Sequence, residues 1–115
     1  MNFLKTIRLK KEFDLLYQRG KSVNGKFFYL KYLPSRFVDK NFLKFGIIIS
    51  TKISKKAVER NKKRRQLQEI IRLNADKLKG GFSILIIAKD SVLLADYNDI
   101  ERDFLELIKK SKINV

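Results

Sequence analysis

The chain has 115 residues, 44% of them hydrophobic, with nine Phe, no Cys, no His and a formal net charge of +15. One domain spanning residues 1–115 with a packed core is expected from that size and composition, while disulfides, thiolate metal sites and a histidine general base are excluded. No apolar run reaches the ~18 residues needed to span a bilayer, and the first residues lack the pattern of a signal peptide, so a cytoplasmic protein without a membrane partner is expected.

Lys10 to Arg19 reads as a short amphipathic helix, with Phe13, Leu16 and Tyr17 at i, i+3 and i+4 and Gly20 closing it. Lys26 to Leu33 is rich in aromatic and β-forming residues and reads as a strand ended by Pro34. Within it Tyr29 and Lys31 share one face, whereas Phe28, Leu30 and Tyr32 point the other way, toward a core. Ser35 to Lys44 is polar and reads as a loop. Phe45 to Ser50 is a second strand. Ser54 is a candidate cap for a long helix from about Lys55 to Leu78, with Gly80-Gly81 ending it. Phe82 to Ala88 is the third and most apolar strand, central by composition. Asp96 or Asn98 then caps a last helix whose apolar stripe is Ile100, Phe104, Leu107 and Ile108. Helix, strand, strand, helix, strand, helix implies a small α+β sandwich with helices packed on a central mixed sheet.

The charge is concentrated. Residues 1–65 hold 19 Lys and Arg against 4 Asp and Glu, and residues 66–115 hold 8 against 8. An excess of that size on one part of a chain marks a polyanionic partner, nucleic acid first. Its densest part is Arg60-Asn61-Lys62-Lys63-Arg64-Arg65, five bases and an Asn in six positions. At ~100° per residue, Leu67, Ile70, Ile71 and Leu78 fall on one helix face, with Asn74 between them. Asn61, Arg65, Gln68 and Arg72 recur at i, i+4, i+7 and i+11 as a second stripe roughly 100° away. One edge of the helix thus presents donors in a row while its neighbour is buried, a comb suited to phosphates and ribose hydroxyls. Arg60, Lys63 and Arg64 extend the apolar face toward the helix start, where the helix is expected to project past the sheet and be wet all round. A merely solvated helix would intersperse Glu at i±4, and here Glu59 is the only acid nearby. A DNA-recognition helix usually follows a short helix and tight turn, whereas this one follows a strand.

No constellation for protein-borne catalysis is present. The carboxylates from Asp90 to Glu106 fit a loop and the first turns of a helix, and neither paired metal-binding carboxylates nor a small-molecule site is indicated.

At the basic helix the sequence resembles the protein subunit of bacterial ribonuclease P. The family signature is a basic helix read as Arg-Asn-Arg, then Lys-Arg two positions on, then Arg-Glu. This chain shows Arg60-Asn61-Lys62, Arg64-Arg65 and Gln68-Glu69. Arg8-Leu9-Lys10-Lys11, the strand Gly46 to Ser50 followed by Lys52, and Ile86-Ile87-Ala88-Lys89 also resemble family segments. Five positions depart from the pattern. Lys62 replaces the second Arg, Lys63 stands where the family tends to be apolar, and Gln68 stands where it usually has Arg. Ser83 stands where an Asp often precedes the last strand, and Lys31 where an aromatic is frequent.

The resemblance implies a sandwich in which the signature helix lies in a left-handed βαβ crossover. It implies an endoribonuclease subunit that binds the catalytic RNA and assists removal of the 5′ leader from precursor tRNA. The catalytic Mg2+ would be held mainly by the RNA. The RNA-subunit face implied here comprises Lys52, Lys56, Arg60, Asn61, Lys62, Arg64, Arg65, Gln68 and Arg72. Phe13 and Tyr17 read on spacing alone as core, but the resemblance places them, with Tyr29 and Lys31, in a cleft for the single-stranded leader. Neutralising ~6–8 phosphates would cost roughly a thousandfold in affinity between 50 and 200 mM salt. The alternatives are a general RNA-binding or ribosome-associated protein of similar fold, and a DNA-binding module.

Overall fold

Phe82–Ala88 is apolar at all but one position, which suits a strand covered on both faces. In the computed structural model, which describes residues 3–8, 10–34 and 42–113, it is the central strand. The elements in chain order are β1 (Phe3–Thr6), α1 (Lys10–Arg19), β2 (Lys21–Asn24), β3 (Phe28–Pro34), β4 (Phe42–Ile48), α2 (Ala57–Leu73), β5 (Phe82–Ala88) and α3 (Tyr97–Ser111). Short 3-10 turns lie at Ala75–Lys77 and Asp90–Leu94. The strands form one sheet in the order β1-β4-β5-β3-β2. β1, β4 and β5 are mutually parallel, whereas β3 and β2 run antiparallel to their neighbours, so the sheet is mixed as expected. α2 links β4 to its parallel neighbour β5, which puts the basic helix in a βαβ crossover.

The two faces of the sheet carry different helices. Ile84 and Ile86 of β5 join Phe28, Leu30, Leu43 and Phe45 in the larger core, beneath Leu67, Ile70 and Ile71 of α2 and Ile100, Phe104 and Leu107 of α3. On the opposite face Leu85 packs with Ile7 and Leu16, and Phe13, Leu33, Ile48 and Ile87 border them under α1. The period-2 alternation of β5 therefore sorts its side chains between two cores.

Several boundaries differ from the sequence expectation, each for a local reason. β1 and β2 were not anticipated: each is a four-residue edge strand, too short to show a period, and forms because β4 and β3 offer open edges. Residues 35–41 of the expected loop lie outside the described residues, and Phe42 to Lys44 belong to β4, not to that loop. α2 begins at Ala57 rather than Lys55. Ser54 does not cap it; its Oγ accepts from the Lys56 amide at 3.2 Å and shapes the preceding turn. The helix stops at Leu73, not Leu78. Buried Asn74 ends it, donating from Nδ2 to the Ile70 carbonyl at 2.8 Å and to Glu101 Oε2 at 3.1 Å. Gly81, with φ 82°, instead turns the chain into β5. α3 is as expected, with Asp96 accepting from the Asp99 amide at 2.8 Å.

Candidate nucleic-acid interface

α2 reaches the surface along the edge read from its periodicity. Asn61, Lys62, Arg65, Gln68 and Arg72 are exposed, while Leu67, Ile70 and Ile71 are fully buried. The helix is therefore anchored on one side and free on the adjacent one. Arg65, Gln68 and Arg72 border a groove of about 590 Å³ with Glu69 of the same helix, Leu4 and Thr6 of β1 and Phe45 of β4. The groove thus runs between the donor edge of α2 and the outermost strand. Lys52 and Lys56 are exposed at the approach to the helix. Lys56 Nζ is 3.8 Å from Glu59 Oε1, an exposed pair that contributes little.

Two arginines of the signature are engaged within the chain. Arg60 Nη1 donates to the Ser54 carbonyl at 2.8 Å, bracing the turn that leads into α2. Arg64 Nη1 donates to Asn61 Oδ1 at 3.3 Å, which orients both side chains along the surface. Both guanidiniums keep further donors, since each carries five N–H groups.

The second surface lies on the α1 face. Arg8, Lys10, Phe13, Asp14, Tyr17, Ile48 and Leu85 line a groove of about 410 Å³. Phe13 is half-buried at its floor, directly over Gly46, where a Cβ would stand 2.8 Å from Phe13 Cε1. A side chain at position 46 would push the ring out, so this close approach explains the glycine. Tyr17 is 56% exposed, which departs from the core reading of its spacing. Lys31 Nζ donates to the Tyr17 carbonyl at 2.7 Å and sits 4.4 Å from the centroid of the Tyr17 ring. The structure thus brings Phe13, Tyr17 and Lys31 together. Tyr29 shares their sheet face but stands apart from this groove, beside Lys89. Sequence reasoning missed Arg8, Lys10 and Asp14 as groove residues, because only the packing of α1 on β4 and β5 brings them round one opening. Among the described residues no three His, Cys, Asp or Glu side chains gather to hold a metal ion. No helix there is long and apolar enough to cross a membrane.

A family model described as Ribonuclease P matches residues 1–112. The chain belongs to the ribonuclease P protein family. It is 40% identical over 108 residues to the ribonuclease P protein component of Clostridium botulinum (strain 657 / Type Ba4), covering 93% of this chain and 94% of that one. It is 35% identical over 118 residues to the component of Clostridioides difficile (strain 630), covering both chains in full. Among solved structures, the ribonuclease P protein of Thermotoga maritima superposes with a TM-score of 0.80 at 26% identity, over 92% of this chain and 96% of that one. The Staphylococcus aureus protein has the same fold, with a TM-score of 0.84 at 23% identity over 94% and 95%. The family is the protein subunit of the endoribonuclease ribonuclease P.

Two of this chain's departures from the ribonuclease P signature have a structural explanation. Lys63, at a position that tends to be apolar, is buried, and its Nζ donates to the Ala95 carbonyl at 2.6 Å. Its aliphatic stem packs as an apolar residue would, with the ammonium satisfied at the tip. Burial holds its pKa below the ordinary lysine value, Lys62 lowers it further, and Asp96 opposes the shift. The start of α2 is therefore not wet all round, because the segment around Ala95 covers it. At the second departure, Ser83 is buried opposite Lys44 in the β4–β5 register, and Lys44 takes its carboxylate from α1: Glu12 Oε1 lies 2.7 Å from Lys44 Nζ.

Proposed function

We propose that this chain is the protein subunit of a cytoplasmic ribonuclease P that holds the catalytic RNA on one surface and the 5′ leader of precursor tRNA on another. The exposed edge of α2, with Asn61, Lys62, Arg65, Gln68 and Arg72 and the approaching Lys52 and Lys56, is the RNA-subunit face. Arg60 and Arg64 support it, each with one guanidinium nitrogen already committed within the chain. Aligned donors on a helix that cannot roll, because its neighbouring face is in the core, suit a duplex backbone of fixed shape. The groove of Phe13, Tyr17 and Lys31 takes the leader: aromatic faces stack unpaired bases and a cation meets the backbone, which holds a single strand without choosing its sequence.

The observation that carries this reading is the family match over residues 1–112, together with the exposure of the α2 donor edge. Hydrolysis of the leader bond belongs to the RNA, with Mg2+ bound there. Several carboxylates of the described residues have structural partners: Asp96 caps α3, Asp103 holds a turn and Glu12 pairs with Lys44. The protein's contribution is to neutralise phosphate charge and to position the leader.

Reconstitution tests the proposal. Added to a bacterial ribonuclease P RNA and a precursor tRNA at low magnesium, the protein should increase leader removal. No increase across a magnesium titration would refute it. Tighter binding to duplex DNA than to these RNAs would favour a DNA-binding module instead.

A further inference from the structure

One acid, Glu69, lies among the bases of the exposed α2 edge. It follows Gln68 in the signature and is one of two acids in the helix, the other being Glu59. Its side chain is exposed and lines the groove of about 590 Å³ between α2 and β1. Arg65 and Arg72 stand about one turn to either side, at i−4 and i+3, where an ion pair within the helix is possible. None forms: among the described residues the ion pairs are Lys44–Glu12 and Lys56–Glu59. A carboxylate opposes any phosphate brought to the same place, so a groove shaped for backbone alone would bind better without it. The floor of the groove is apolar as well, made by half-buried Leu4 and buried Phe45. Acid and floor both suit a nucleobase better than a phosphate.

We propose that this groove takes one unpaired guanine of the RNA subunit, with Glu69 accepting from its Watson–Crick edge and Arg65 and Arg72 holding the flanking phosphates. The inference rests on the α2 edge being the RNA-subunit face, and it adds a base-reading site to that face. Guanine alone among the four bases sets two N–H donors, on N1 and N2, side by side on that edge, where they match the two oxygens of one carboxylate. The edge is free only in an unpaired base, which separates this contact from the duplex backbone met by the rest of the helix. The base plane rests on Leu4 and Phe45, and the groove volume falls in the range of pockets that enclose a small ligand, roughly 300–1,000 Å³. β1 completes the rim. The Ile7 amide donates to the Phe45 carbonyl at 2.8 Å, so by strand alternation Leu4 and Thr6 turn their main-chain N–H and C=O groups away from β4. β1 is the end strand of the sheet, and those groups offer donors and acceptors to a ribose hydroxyl.

Inosine interference tests this, because inosine lacks the N2 amine of guanosine. A bacterial ribonuclease P RNA is transcribed with a small fraction of its guanosines replaced by phosphorothioate-tagged inosine. RNA bound by the full-length protein is separated from unbound RNA, and iodine cleavage maps the substituted positions. With wild-type protein, inosine at one unpaired position should be depleted from the bound fraction, and with Glu69→Gln that depletion should vanish. Glu69 is exposed, so the isosteric change leaves the fold in place. Glu69→Gln should also bind the unmodified RNA roughly tenfold more weakly. A bystander acid predicts the opposite sign, since removing a negative charge from a basic face tightens RNA binding. Tighter binding, or the same inosine profile for both proteins, overturns the guanine site; if Arg65→Ala still weakens binding, the RNA-subunit face stands without it. If wild-type protein binds the RNA subunit no better than an unrelated RNA, that face falls and this inference falls with it.

Discussion

Lys63 Nζ donates to the carbonyl of Ala95 at 2.6 Å, so a lysine in the middle of the most basic run of the chain points into the fold. The run therefore holds two kinds of base: those along the donor edge of α2, and one that ties the start of α2 to the segment before α3. Charge density alone does not separate them. Their position round the helix does, because Lys63 lies on the same face as Leu67 and Ile70.

Lys63→Met should retain most of the packing and lose the hydrogen bond, for about 1 kcal/mol of destabilisation at neutral pH. The pH dependence is the sharper test. Burial lowers the folded-state pKa of Lys63 below its ordinary value of 10.5. Between those two values the unfolded chain binds more protons at this site, so wild-type stability relative to Lys63→Met should rise as pH climbs toward 10.5. Urea denaturation of both proteins from pH 7.5 to 10.5 measures the difference, and a flat difference would contradict the assignment. Affinity for the RNA subunit should change less than twofold.

Arg65→Ala and Tyr17→Ala should separate the two proposed RNA surfaces, because the residues sit on opposite faces of the sheet. Arg65→Ala should weaken binding of the RNA subunit and reduce its salt slope by about 1, leaving the affinity difference between long-leader and leaderless substrates intact. Tyr17→Ala should shrink that difference by roughly fivefold or more and leave RNA-subunit binding unchanged. Equal losses from both variants would sink the two-surface arrangement.

Where the sequence carries a period, the fold was legible. α1 and β5 have the expected limits, and the buried stripes of α2 and α3 match their apolar spacing. Short or context-dependent features were not legible. β1 and β2 are recruited by neighbouring strand edges, and α2 ends at Asn74 because the side chain of Asn74 bridges to Glu101, 27 residues away. At the candidate site the donor edge could be read because every member lies on one helix. The partners of Tyr17 and Tyr29 are Lys31 and Lys89, from different elements, and only tertiary packing pairs them correctly.

Gln68→Arg should tighten RNA-subunit binding. Gln68 borders the same groove as Arg65 and Arg72, with a neutral amide where two flanking residues are cationic. A guanidinium there would complete a row of three on adjacent turns and add one phosphate contact. The expected gain is severalfold at low salt, with the slope of log affinity against log salt steeper by about 0.9 for a duplex contact. If Arg72 already supplies the missing charge, Arg72→Ala should cost more in the wild type than in the Gln68→Arg background. A double-mutant cycle measured by filter binding decides this, and strict additivity would mean that the two side chains contact separate phosphates.

Asp103→Ala should be among the most destabilising single changes in the chain, although its place midway along α3 does not mark it out in the sequence. The carboxylate is buried and accepts the main-chain amides of Lys26 and Phe27 at 3.2 and 3.0 Å, closing the β2–β3 turn from 76 residues away. Gly25 leaves room for it, since a Cβ there would stand 2.7 Å from Asp103 Oδ2 and 2.8 Å from the Phe28 carbonyl. Removing the acid strands two donors and loses a charge-assisted contact, about 3 kcal/mol, which lowers Tm by on the order of 10 °C. The same turn supplies the Gly25 carbonyl that positions Lys89 over Tyr29. Asp103→Asn, which keeps the shape but turns one acceptor into a donor, should fall between wild type and alanine in Tm. A Tm for Asp103→Ala within 2 °C of wild type would show that β2 and β3 close their turn without help from α3.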